Sequence, residues 1–488
     1  MNRLVIIGNG FDMAHGLKTS YKDFINWYWE QRLNALLTER KPYSDDSLCR
    51  LEIKNTKACP DWFCFFRVFH SYRNIITGEW KYPPIDIIKS IEENTEDFSV
   101  TYSKFFERIM KSFKDKRWVD IENDYYEILK KCIENTNYSN TVKDLNKQLE
   151  ILRNELVKYL STIGRTEPIS SIKDAIKGEL NTKELSSEGQ RIIRRAQKSK
   201  KEHLFLRNFL YVKRTMLLSF NYTETVEMYD DDSIIINYIH GNLWEPEHIV
   251  FGYGDELDKD YPAIRDKNDN ELLKNVKSVK YLETSNYRKM LDFIESEPFQ
   301  VLIMGHSCGN SDRTLLNTVF EHENCISIKP YYYKRKNGTD NFLEIVQNIS
   351  RNFTFTSMSL LRDRVVNKEL CQPMCKTIRC NFELDASLGI PIHYDNWYQT
   401  IAVDLTEEQF NRYCDTLKRW QSTDEWKNRN DEDGDDFFIK RDLPDIYDMI
   451  MKAVITQAPK IWDNRILDYI DQLNIITADE IYSHTEQS

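Results

Sequence analysis

The chain has 488 residues, with 67 Lys+Arg against 78 Asp+Glu for a net charge of -11, and is 41% hydrophobic and 12% aromatic. That apolar content excludes a mainly disordered chain, and the length predicts about three units at roughly 150 residues each. The acidic balance disfavours nucleic acid as the main ligand, because phosphate neutralisation needs a basic face.

Leu4 to Ile7 is a continuous apolar run, the pattern of a strand buried on both faces of a parallel sheet. It is too short for a secretory leader, no stretch approaches the ~18 apolar residues of a membrane helix, and the ten Cys are scattered. A cytoplasmic protein with reduced thiols is the expectation. Gly8-Asn9-Gly10-Phe11-Asp12 breaks the run, with Gly16 a little further on. Two glycines around one residue permit a tight turn and close backbone approach to a phosphate, although Met13 stands where a dinucleotide fingerprint has its third Gly. Ser20 and Asp23 have capping-box spacing ahead of a helix carrying Phe24, Trp27, Tyr28 and Leu33.

Residues from about 85 to 205 are rich in Lys, Glu, Asn, Leu and Ile. Thr101 to Phe113, Asp120 to Cys132, Thr141 to Ile163 and Glu188 to Lys201 have amphipathic helical spacing. Short apolar runs then return at Met216 to Phe220, Ile234 to Ile236, Gln300 to Met304, Cys325 to Ile328 and Phe353 to Phe355. Helical patterns at Tyr287 to Ser296, Asp312 to Glu321 and Asn341 to Ser350 separate several of them. Strands alternating with helices predict a parallel α/β sheet, which the first strand joins. The divisions are 1–84, the first part of the α/β domain; 85–210, a helical insertion; 211–358, the second part; and 359–488, a mainly helical C-terminal accessory segment. Within that last segment Leu405 to Leu417 and Ile446 to Ile455 read as helices, and Asn428 to Asp436 as a solvated loop.

In open α/β sheets, ligands bind beyond the carboxyl ends of the strands. The residues just past the predicted strands are polar and Gly-rich: Ser219-Phe220-Asn221-Tyr222-Thr223, then His240-Gly241, then Gly305-His306-Ser307 with Asp312 beyond. Singly, each has a plain reading as a turn Asn, a buried His or a capping Ser. Their shared position relative to a strand raises their weight.

The stretches Gly8 to Asp12, Ala14 to Phe24, Trp118 to Glu122, Ser219 to Thr223, His240-Gly241 and Phe251 to Asp255 resemble the bacteriophage abortive-infection AbiH family over roughly residues 1 to 350. A more distant resemblance is to sirtuin-like domains, through Gly8, Gly10, Asp12, Gly16 and Leu17, then Asn221, His240-Gly241 and Gly305-His306-Ser307. It implies a Rossmann-like sheet that takes NAD as substrate and hydrolyses it to nicotinamide and ADP-ribose. Asn221 and His240 would be catalytic, with His240 as general base. Gly8, Asn9, Gly10 and Phe11 would cradle the pyrophosphate. Asp12, Gly16, Ser219, Gly241, Gly305, Ser307 and Asp312 complete the NAD-binding set. After Asn221 this chain has Tyr222-Thr223-Glu224, where sirtuins follow the Asn with Ile-Asp, so the Asp is missing at position 223.

The partners expected are NAD or a related nucleotide, a phage-derived trigger or partner protein, and a second copy of the chain, with no membrane and no metal. Cys371, Cys375, Cys380 and His393 have spacings too loose for a zinc site, so thiols are the reading there. Asp120 and Glu122, two residues apart on a helix, point in different directions, so one can face the site while the other makes a structural salt bridge, and both are left out of the catalytic set. His15 is read as locally hydrogen-bonded, and the basic run Arg191 to Lys201 as a solvated helix face. The alternative to hydrolysis is a nucleotide-binding sensor or scaffold without turnover.

Overall fold

A computed structural model of the chain describes residues 1–38, 43–53, 72–73, 80–93, 98–116, 121–134, 138–164, 166, 168–197, 211–253, 256–335, 338–375, 377–385, 398–428, 436–457 and 474–476. The described parts of Met1–Pro168, Lys173–Tyr333 and Asp340–Met374 form one compact unit. Those of Ile169–Ile172, Lys334–Thr339 and Cys375–Ser488 form a second.

Strand β1 (Asn2–Ile7) is buried at every position, as a strand covered on both faces must be. A small antiparallel sheet comes next, β2 (Tyr43–Asp45), β3 (Cys49–Ile53) and β4 (Phe98–Tyr102), with β3 in the centre. The parallel sheet resumes with β5 (Thr215–Ser219), β6 (Ile234–Tyr238), β7 (Phe299–Met304) and β8 (Cys325–Tyr331), in the spatial order β6-β5-β1-β7-β8. β1 pairs in parallel with both β5 and β7, so the first strand is central although more than 200 residues separate it from either partner. This order is compatible with a Rossmann-like fold, and the order of strands reverses between β1 and β7.

Alternate residues Leu4, Ile6, Met216, Leu218, Val301 and Ile303 enter a core shared with the helices Asn286–Ser296, Arg313–Phe320 and Phe342–Arg351. On the opposite phase, Arg3, Gln300 and Ser327 are register neighbours. Arg3 donates to the carbonyls of Ala175, Ile176 and Gly178, and Gln300 donates to Glu184 at 3.0 Å. A second core joins the helix Tyr21–Thr38 to the helices Pro84–Glu93, Lys104–Lys116, Ile121–Cys132 and Ser139–Leu160 and to the small sheet. The Ser20–Asp23 capping box forms as read, with both reciprocal hydrogen bonds present.

Two expectations need correction and a third needs an addition. Phe353 to Phe355 is no strand: Phe353 is buried, Thr354 precedes the short 3₁₀ turn Phe355–Ser357, and Phe355 is 95% exposed. The predicted helix from Thr101 begins only at Lys104, because Thr101 and Tyr102 belong to β4. The C-terminal segment, read as mainly helical, also carries a sheet among its described residues. Its nine-residue strands β9 (Thr377–Asp385) and β10 (Tyr398–Thr406) pair antiparallel, and β11 (Asn474–Ile476) adds to the far side of β9. The helices Glu407–Gln421 and Pro444–Gln457 bury Tyr413, Trp420 and Ile446 in a core with Phe382, Ile401 and Val403. Asn428 to Asp436 lies almost wholly outside the described residues. No described helix is long and apolar enough to cross a membrane.

Candidate functional site at the carboxyl end of the sheet

The residues leaving β1 and β7 interlock where the strand order reverses. Gly8 N–H donates to Met304 O at 3.2 Å, Gly10 N–H to Gly305 O at 2.8 Å and Phe11 N–H to Gly8 O at 2.8 Å. A Cβ on Gly8 would stand 2.6 Å from His306 Cα, and one on Gly10 would stand 2.8 Å from Gly305 Cα. Gly305 has φ +73, and its Cβ would lie 2.0 Å from Phe11 N. These glycines are required by contact between two protein loops. The three amides are engaged by the protein itself, so a pyrophosphate cradle cannot draw on them without displacing those bonds.

Beside this junction lies a first polar nest. Asn221 donates through Nδ2 to Gly8 O at 3.1 Å, and Ser219 Oγ accepts from Asn221 N–H at 3.2 Å. Asp12 is 1% exposed, and its Oδ2 accepts from Thr223 Oγ1 at 2.6 Å. Burial pushes the Asp12 carboxyl above its ordinary pKa, while Thr223, Thr225 and Asn221 work in the opposite direction. Thr225 and Asn221 are close enough to exert that influence, yet among the described residues no donor meets hydrogen-bond geometry at Asp12 Oδ1. Asn9 Oδ1 accepts from Thr19 Oγ1 at 2.6 Å. Phe11 packs on His15 and Tyr229 with ring centroids 4.6 and 5.6 Å away. His15 is bound locally, with Nδ1 to Phe11 O at 2.7 Å and Nε2 to Tyr229 Oη at 2.6 Å.

A second nest contains His240. Lys277, 1% exposed, donates to Glu122 Oε2 and to Asp312 Oδ1, both at 2.8 Å. Asp312 Oδ1 is also 3.2 Å from His240 Nε2, and its Oδ2 is 3.6 Å from His306 Nε2. Tyr281 Oη is 3.1 Å from His240 Nε2, and the two rings stack at 6.0 Å. Glu122 Oε1 accepts from Gly252 N–H at 3.2 Å. Burial alone would raise Asp312, but Lys277, then His240, overcome it and hold the carboxyl well below the usual range. Burial would lower Lys277, yet Asp312 and Glu122 hold it above its ordinary value. Burial, then Lys277, lowers His240 to about 4 against the opposing pull of Asp312, so its imidazole is neutral at pH 7. Phe220, next to Asn221 in the chain, packs on this second nest, its ring 5.0 Å from His240 and 4.3 Å from His306.

The structure thus gathers Gly8, Gly10, Phe11, Asp12, Ser219, Asn221, His240, Gly305 and Asp312 at one end of the sheet. Gly16 (φ +79) ends the short helix Asn9–Ala14, where Leu17 N–H caps Asp12 O. Gly241 (φ +78) turns the chain against His248 O. Ser307 is exposed, and its carbonyl accepts from Asn348 Nδ2 at 2.8 Å.

Sequence reasoning missed Lys277 and Tyr281 as members of this region, and left open whether Asp120 or Glu122 reaches it. Glu122 does: it is 8% exposed and accepts from Lys277. The Trp118-to-Glu122 run was the one signal for it; Lys277, in a lysine-rich stretch, had none. Asp120, Gly254, Asp255 and His393 lie outside the described residues, as do Lys198, Lys200 and Lys201. Arg191 and Arg195 are exposed and pair with Glu188. Among the described residues no group of three His, Cys, Asp or Glu is arranged to hold a metal ion.

A family model described as bacteriophage abortive infection AbiH matches residues 4–333. No curated protein and no solved structure gives a match.

Proposed function

The chain belongs to the bacteriophage abortive infection AbiH family, and from that premise we propose that it defends against phage by hydrolysing NAD to nicotinamide and ADP-ribose. The observation that carries the reading is the convergence of Asn221, Asp12 and His240 on the strand-order reversal, where doubly wound sheets take nucleotides. Nicotinamide leaves neutral from a cationic linkage, so the protein must orient the ribose, favour positive charge there and deprotonate a water.

Asp12 Oδ1 suits a ribose hydroxyl, since a buried carboxyl oxygen without a donor favours one. Asn221 fixes the Gly8 carbonyl beside it and can orient the water. His240 is neutral and can accept a proton, although a pKa of about 4 makes it a weak base. The diphosphate fits less well, because the Gly8, Gly10 and Phe11 amides are already engaged. That engagement favours the second reading, a nucleotide-binding sensor or scaffold without turnover.

An NAD-consumption assay on the purified full chain, with and without phage lysate, separates the two. Wild type should consume NAD. Asn221→Ala and His240→Ala should each lose about 10²-fold or more. Consumption unaffected by both changes removes the residue assignment. Nucleotide binding with no consumption under either condition selects the sensor.

A further inference from the structure

We infer that Lys277 is the positioning residue of this site, tying the helical layer to it through Glu122 and fixing, through Asp312, which ring nitrogen of His240 carries the proton. The inference rests on the reading of His240 as the base, and its test does not depend on NAD cleavage.

The geometry begins with His306. Its Nδ1 accepts from Cys308 N–H at 3.0 Å, so its proton is on Nε2, the nitrogen 3.6 Å from Asp312 Oδ2. His240 presents Nε2 to both Tyr281 Oη and Asp312 Oδ1, at 3.1 and 3.2 Å. A bare Nε2 there would set its lone pair against a carboxylate, whereas a protonated Nε2 is attracted to it. An ionised Asp312 therefore leaves the His240 lone pair on Nδ1, the only ring atom then able to accept a proton. The groups facing His240 are Asp312, Lys277, His306, Tyr281, Tyr222 and Phe220. Of these, Lys277 is the one fixed cation, and it lies 2.8 Å from the very oxygen that faces His240.

An isolated buried carboxylate takes up a proton. Without Lys277, the Asp312–His240 pair has two fates. Asp312 stays ionised and His240 becomes the compensating cation, or Asp312 protonates and donates to Nε2, which moves the ring proton to Nδ1. Both abolish the neutral, Nδ1-bare imidazole. Glu122 holds the other side of the ammonium and comes from the helix Ile121–Cys132, so a displacement of that helix is felt at Asp312. That gives the helical layer a physical route to the site, through one side chain 1% exposed.

The experiment is nitrogen NMR of histidine-labelled full-length protein between pH 5 and 8, with the His240 signal assigned by its loss in His240→Asn. Wild type should show a neutral His240 protonated at Nε2 throughout. In Lys277→Met the ring should either titrate with a midpoint raised by about one pH unit or more, or move its proton to Nδ1. Glu122→Gln should leave both rings in the wild-type form at rest, because Lys277 still holds Asp312. Should Lys277→Met not fold, Asp312→Asn serves: loss of the fixed Nε2–H form supports the inference. A His240 signal unchanged in tautomer and titration in Lys277→Met, or in Asp312→Asn, overturns it, whether or not the wild type consumes NAD.

Discussion

Asp12 and Asp312 are both buried carboxyls at the same end of one sheet, and burial pushes both upward. Their outcomes are opposite. Asp12 has hydroxyl and amide neighbours, no ion pair among the described residues, and a raised pKa. Asp312 has an ammonium at 2.8 Å and two imidazoles within 3.6 Å, and is held well below the usual range. Hydrogen bonds from neutral groups soften the desolvation of a carboxylate; a buried cation reverses its sign. One sheet end therefore presents one carboxyl whose ionisation burial opposes and another whose ionisation its neighbours favour.

The harshest way to break this contrast is Lys277→Met. It leaves Glu122 and Asp312 without their shared ammonium, and about 3–5 kcal/mol of stability should be lost in urea unfolding at pH 7. A loss under about 1 kcal/mol would mean that the pair is screened and the contrast is not electrostatic.

Neutralising each aspartate should then give opposite signs. Asp312→Asn removes a group whose folded pKa is depressed. The lost stability, about 3 kcal/mol at neutral pH, should stay nearly full down to the ordinary carboxylate pKa near 4 and fade only below it, as pH falls toward the depressed folded value. Asp12→Asn removes a group whose folded pKa is raised. The wild type bears its penalty only as pH rises above about 4, so this variant should be more stable at pH 7, on the order of 1 kcal/mol, and equal below it. Unfolding both variants at pH 7 and at about pH 2–3 gives the two slopes, and slopes of the same sign would end the comparison.

The smallest expected effect is Thr223→Val, which removes one hydroxyl donor from Asp12. It should cost about 1 kcal/mol at pH 7 and less once Asp12 is protonated.

The sheet was legible in the sequence because strands buried on both faces read as unbroken apolar runs, as Leu4–Ile7 and Val301–Met304 do. The polar residues at their ends were legible for the same reason: a located strand end also locates the loop residues joined to it, such as Asn221 and His240. The small antiparallel sheet was not visible. β3 alternates buried and half-buried residues over only five positions, and β4 runs into a helix within two. Phe353 to Phe355 looked like a strand because three residues are too few to carry a period. β9 and β10 were read over, because the helix after Thr406 dominated the pattern around them. Lys277 stayed hidden for a physical reason. A lysine becomes a core residue only when two distant carboxylates meet it, and Glu122 and Asp312 are 155 and 35 residues away. No window of sequence contains all three.

The central place of β1 sets a schedule for synthesis. Its partners are β5 and β7, and the interlocked turn at Gly8 needs Gly305 and His306. At roughly 5–20 residues per second, a ribosome delivers that loop about 15–60 s after β1. Throughout that interval the nascent chain lacks the sheet end at which Gly8, Asn221 and Asp312 are held. Whatever this sheet end does is thereby withheld until the chain has been extended past His306.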